Sequence, residues 1–159
     1  MVLKDKKNFQ KLGKILLFGT FNFLYNIDAV EVYLQLGGDI MLSSQGEIKI
    51  HEYLEYGNIP FEEEYIFDDL TAENGKHLRF DFAIFTDDGD LDCLIEYNGR
   101  QHYVAIPKFG GAKGLYRQQH NDTLKRKYCL EHGIKLITIP FTEENKLSYD
   151  YLMQLINNY

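Results

Sequence analysis

Apolar and polar residues change rhythm several times along this chain, and each rhythm predicts a different element. Val30-Glu31-Val32-Tyr33-Leu34-Gln35-Leu36 alternates with the two-residue period of a strand and stops at Gly37-Gly38-Asp39. The stretch before it, with Phe18, Phe21, Phe23, Leu24 and Tyr25, is rich in aromatics but keeps no period. Ser44-Gln45-Gly46-Glu47 has capping-box spacing and predicts a helix start. Glu47, Ile50, His51 and Leu54 then share one helical face, and Gly57 ends it. Phe61 to Phe67 reads as a strand with Asp68-Asp69 at its end, and Glu73 to Lys76 as a turn. Leu78 to Phe85 gives a second strand, Asp87-Asp88-Gly89-Asp90 a hairpin turn, and Leu91 to Tyr97 a third strand closed by Asn98-Gly99.

Gly110, Gly111 and Gly114 then predict a flexible, basic loop, followed by a long helix from about Leu115 to Glu131 with Gly133 just past its end. Ile134 to Ile139 is a continuous apolar run stopped by Pro140, the pattern of a central strand covered on both faces. A last helix, about Ser148 to Asn157, offers Leu152, Leu155 and Ile156 for packing. The order helix, three strands, helix, strand, helix implies an α/β domain over 43–159, with a right-handed late crossover. Residues 1–42 form an N-terminal accessory segment ahead of it.

Composition adds bounds. A chain of 159 residues suits one sizeable core. Cys93 and Cys129, each inside an apolar run, support neither a disulfide framework nor a zinc knuckle and fit a reducing, cytoplasmic setting. The uncharged stretch from Ile15 to Ile27 is too short and too polar to span a bilayer, so no membrane partner is expected. A net charge of −7 argues against a nucleic-acid partner until its distribution is examined. Residues 51–98 carry fourteen acids against two bases, whereas 100–135 carry eight Lys and Arg against two acids. Five lysines against one aspartate fall in the first fourteen residues. That polarity fits a phosphate-facing rim beside an acidic centre, or else ordinary solvated helix faces.

The candidate chemistry lies where the charge changes sign. Asp81 interrupts Arg79-Phe80-Asp81-Phe82, and by strand alternation it shares a face with Ala83 and Phe85 rather than with Phe80, Phe82 and Ile84. Glu96 closes the next apolar run. Hairpin pairing brings the two acids within reach of one ion, and carboxylate oxygens suit magnesium or manganese rather than zinc. The alternative is a pair of edge carboxylates bonded to Arg79 or Arg100. His102 follows Gly99, and an imidazole there can activate water or else is structural. On the long helix Asp122, Lys125, Arg126 and Cys129 share a face. Asp122 there orients His102 and Lys125 meets a phosphate, or Asp122 and Lys125 form a surface salt bridge.

From Ser44 to Phe141 the chain resembles phage and bacterial proteins of the PD-(D/E)-x-K nuclease superfamily. The branch is that of the very short patch repair endonucleases and the EDxHD homing endonucleases. The matching pieces are Gly46-Glu47, Leu78 to Phe82, Glu96 to Tyr103, Asn121 to Lys125 and Ile134 to Pro140, in order and at the expected spacing. The resemblance implies a restriction-endonuclease-like core, a central mixed sheet of four or more strands flanked by helices. It also implies a metal-dependent endonuclease acting on DNA with Mg2+ or Mn2+. Glu47, Asp81, His102 and Asp122 would form the catalytic set: Asp81 on the metal, His102 as general base, Glu47 and Asp122 as positioning groups. Glu96 occupies the second acid slot, also toward the metal. Arg100, Lys108, Lys113, Arg117, Lys125 and Arg126 would neutralise phosphates. One site nicks a single strand, so cutting both calls for a homodimer or two visits.

Two departures stand out. Asn98 replaces the superfamily lysine two residues after the second acid, which leaves Lys125 as a substitute. The cysteine-bearing zinc module found upstream in relatives has no counterpart in residues 1–42. These departures motivate an alternative of another class: a nuclease-fold protein that has lost catalysis and binds nucleic acid or a protein partner, as a phage accessory or inhibitor.

Overall fold

Ser44 caps the first helix of the described residues. The computed structural model describes residues 44–158; the accessory segment, its expected strand and its lysines lie outside the described residues. The Ser44 hydroxyl accepts from the Glu47 backbone N–H at 3.3 Å and donates to Glu47 Oε1 at 2.7 Å, so the predicted capping box forms. Helix α1 (Gln45–Tyr56) buries Gly46, Ile50 and Leu54. Strands β1 (Phe61–Thr71), β2 (His77–Phe85) and β3 (Leu91–Asn98) follow, then two 3-10 turns, Arg100–His102 and Pro107–Phe109. Helix α2 (Gly111–Glu131), strand β4 (Lys135–Pro140), a 3-10 turn Phe141–Lys146 and helix α3 (Tyr149–Asn157) complete the order.

The strands form one sheet in the order β1-β2-β3-β4. The β1–β2 and β2–β3 pairs are antiparallel and β3–β4 is parallel, so the sheet is mixed and α2 is the crossover that a parallel pair requires. One face packs Phe82, Ile84, Cys93, Ile95, Ile137 and Ile139 against Ile50 and Leu54 of α1 and Leu152 of α3. The other packs Phe80, Ala83 and Leu94 against Cys129 of α2. This is the α/β architecture of a four-stranded mixed sheet flanked by helices.

Four local expectations change. β1 runs on to Thr71, so Asp68 and Asp69 lie within the strand; pairing continues to Thr71↔His77 across a register shift after Ile66. α2 starts at Gly111 instead of Leu115, and Gly114 sits within its first turn, where a Cβ would overlap the Phe109 carbonyl oxygen. Only glycine lets the Pro107–Phe109 turn press onto the first turn of α2, and that contact overrides glycine's poor helix propensity. β4 is covered on both faces, as its apolar run predicted, yet it ends the described sheet instead of running through its centre.

The fourth change positions the site. Phe80 packs with Ala83 on the α2 face while Phe82 and Ile84 pack on the α1 face, so alternation breaks at Asp81. Opposite Asp81, between the pairs Glu63↔Phe82 and Tyr65↔Phe80, Glu64 holds a left-handed backbone with φ 54°. The β2–β3 ladder also ends here, at Phe82↔Ile95.

Gly46 is the tightest point between α1 and the sheet, since a Cβ there would fall within the Tyr97 ring. Gly46→Ala should therefore lower stability by about 1–3 kcal/mol from overpacking, despite alanine's better propensity. Urea unfolding checks this, and an unchanged or raised midpoint would show that Tyr97 yields freely.

Candidate active site

The split between β2 and β3 gives Asp81 its partners. One step past the last ladder pair, Asp81 and Glu96 stand on facing strands, and Asp81 Oδ2 accepts the Tyr97 backbone N–H at 2.7 Å. That carboxylate replaces the missing ladder carbonyl, while Oδ1 accepts no hydrogen bond from the described residues. Burial pushes the Asp81 pKa well above the ordinary value, and the nearby Glu96 and Glu47 carboxylates push the same way. Tyr97 N–H and Lys125 oppose them without prevailing.

Glu96, 5% exposed, is held on both oxygens by Lys125 Nζ at 2.8 and 2.9 Å. Lys125 is 8% exposed and its ammonium lies 5.3 Å from the centre of the Phe80 ring. Burial still raises the Glu96 pKa; the Lys125 charge and hydrogen bond pull it back only in part. Arg79 goes to Glu64 at 3.1 Å, so neither of the arginines considered from sequence takes these acids. Asp122 does not pair with Lys125 either.

Asp122 Oδ2 lies 2.9 Å from His102 Nδ1. A carboxylate there requires the proton on Nδ1, which makes Nε2 the basic nitrogen. The Gln118 amide nitrogen, one turn before Asp122, lies 3.3 Å from both ring nitrogens and from Asp122 Oδ1. Glu96, Asn98, Asp122 and Lys125 line one narrow cleft, with Arg126 at its side. Asn98 is buried at the end of β3, opposite Pro140.

Glu47 is tied to the Ser44 cap. Its pKa is raised by burial, then lowered in part by Ser44, and its charge reaches Asp81. The cations divide. Lys125 is a buried partner of Glu96, while Arg100, Lys108, Lys113, Arg117 and Arg126 are exposed and pair with no acid among the described residues. Asp122 is the only acid between residues 100 and 130, and it faces His102. Sequence reasoning missed Gln118, although its i, i+4 spacing to Asp122 placed it on the same face. It also missed Glu64, which carries no sequence signal.

Among the described residues no three His, Cys, Asp or Glu side chains are close enough to hold an ion by themselves. Magnesium fits the donor chemistry, because it is commonly held by one or two carboxylates with water and phosphate completing its shell. Asp81 has an oxygen open and a charge that its surroundings disfavour unless a cation is near.

No family model matches the chain, and no solved structure does. It is similar to three viral proteins. "Uncharacterized protein 307L" of Invertebrate iridescent virus 6 is 38% identical over 79 residues, 49% of this chain and 40% of that protein. "Uncharacterized protein 094L" of Frog virus 3 is 35% identical over 92 residues, 50% of this chain and 59% of that protein. "Uncharacterized protein 033L" of Invertebrate iridescent virus 3 is 32% identical over 124 residues, 75% of this chain and 60% of that protein. The chain thus spans about half the length of the curated relatives it matches. Among the described residues no helix is long and apolar enough to cross a membrane.

Proposed function

We propose that the chain is a metal-dependent DNA endonuclease that hydrolyses a phosphodiester with a histidine-activated water. The observation that carries this reading is the convergence of Asp81, the Glu96–Lys125 pair and the Asp122–His102 pair where β2 and β3 part. Asp81, with Glu96 beside it, would hold magnesium or manganese, which when bound supplies charge at a phosphate and makes water more acidic. His102 Nε2, the ring nitrogen that the Asp122 contact at Nδ1 leaves with a free lone pair, takes the proton of the attacking water as its oxygen bonds to phosphorus. The P–O bond to the leaving strand end breaks, and the departing oxygen takes a proton from solvent. The exposed cations from Arg100 to Arg126 meet the phosphates of a strand laid over this face. Similarity to viral proteins is compatible with a nuclease that serves a virus, whether as a monomer or as a dimer.

The test is conversion of supercoiled plasmid to nicked or linear forms in magnesium or manganese. His102→Ala should lower the rate by about 10²–10⁴-fold, the usual worth of a positioned base, with binding retained. Cleavage at the wild-type rate in that variant removes His102 from the reaction. A second reading, binding without cutting, is favoured by one observation: Lys125 occupies both oxygens of Glu96. Metal-independent DNA binding by a folded chain that cuts nothing would favour it.

A further inference from the structure

A cleft of about 430 Å³ lies between the two 3-10 turns and the first half of α2. That size falls within the ~300–1,000 Å³ of clefts that take small ligands. Val104, Ile106 and Leu115 give it apolar walls, and Gln101 and Gln118 give it two amides. Phe109 lines it with a ring that is 50% exposed, and Lys108 Nζ sits 5.8 Å from that ring's centre. Lys108 and Arg117 add two cations, and no lining residue is acidic. The cleft is built into the fold: Gly114 is the position where any side chain would push the Phe109 turn away, and Gly110 turns the chain with φ 89°.

This combination matches one kind of guest. An exposed aromatic ring suits the flat face of a base, amides suit its hydrogen-bonding edge, and unpaired cations suit the attached phosphates. A base inside a duplex is stacked and paired and must leave the stack to reach such a cleft. We propose that the cleft takes an unstacked nucleobase of a DNA strand, so that the neighbouring site acts on single-stranded, flapped or locally unpaired DNA. The choice of cutting position rests on the nuclease reading; the binding preference does not. The link between the two is Gln118, which lines the cleft and also touches His102 Nε2. A base edge that engages this amide draws it from Nε2 and opens that nitrogen to water.

The measurement is binding of the full chain, without divalent metal, to a labelled single strand, its blunt duplex and the same duplex carrying a flap. The single strand and the flap should bind about tenfold more tightly than the blunt duplex at one fixed salt concentration. Phe109→Ala, at an exposed ring, should bring that ratio close to one, the loss expected for one base–aromatic stack. Val104→Trp, which fills the cleft, should do the same. Equal affinity for all three DNAs in the wild type overturns the proposal. So does a preference that survives both substitutions. Because no cutting enters this measurement, failure of plasmid cleavage counts against the nuclease reading alone.

Discussion

Asp81→Asn should abolish metal-dependent cleavage and at the same time make the metal-free protein more stable at pH 8. The activity loss is expected at about 10³-fold or more, what losing ~4 kcal/mol of transition-state stabilisation gives. The stability gain follows from the raised pKa. Burial, Glu96 and Glu47 make the folded chain keep a proton on Asp81 that the unfolded chain has released. Stability from that retained proton is complete below the ordinary carboxylate pKa and is lost as pH rises through the folded value. Asparagine keeps an oxygen for the Tyr97 N–H at 2.7 Å and never ionises, so it escapes the loss. Thermal melts should show the variant a few degrees above wild type at pH 8, with the gap closing toward pH 4. Millimolar magnesium should raise the wild-type midpoint and leave the variant unmoved, because only the native carboxylate binds it. Identical melts at pH 8, with and without metal, would mean that Asp81 ionises as readily in the folded chain as in the unfolded one and is no metal ligand.

The sequence made the frame of this site legible and left its wiring hidden. Ser44 and Glu47 announced the start of α1 because a capping box is a local arrangement, complete within four residues. Asp87-Asp88-Gly89-Asp90 announced the β2–β3 hairpin for the same reason, and Gly89 holds the left-handed backbone such a turn needs. Asp81 stands out in the sequence as a charge in an apolar run, but its surroundings do not. Period-two counting carried Phe80 and Phe82 to one face, whereas the strand turns over between them where pairing with β3 stops. Periodicity reports faces only while the ladder continues. It also reports coverage but not neighbours, which is why an apolar β4 reads as central and yet stands last among the described strands. Lys125 was the least legible of all. A long side chain on α2 has Asp122 within local reach, and only the packing of α2 across β3 shows that its ammonium goes to Glu96.

Lys125→Met should produce the largest loss of stability of any single change here, about 3–5 kcal/mol in urea unfolding at pH 7–8. The substitution keeps an unbranched apolar stem about as far as Lys125 Cε, so packing changes little, while the ammonium 5.3 Å from the Phe80 ring centre is lost. What it removes is the cation held on both oxygens of a carboxylate that is only 5% exposed. An unpaired charge there must either stay desolvated or take up a proton, and either is costly at neutral pH. The pH dependence has a definite sign. Burial already holds the Glu96 pKa above its ordinary value with Lys125 in place, and without that cation the value rises further. Below the ordinary carboxylate pKa Glu96 is protonated in the folded and unfolded chain alike, so the penalty should shrink as pH falls toward 4. Glu96→Gln combined with Lys125→Met should recover most of the lost stability, because the double variant buries no charge. That double variant also separates the pair's two roles: if stability returns and cleavage does not, the charges are there for the reaction and not for the fold. A Lys125→Met protein as stable as wild type would instead show that water reaches Glu96, and that the ion pair contributes little to holding α2 on the sheet.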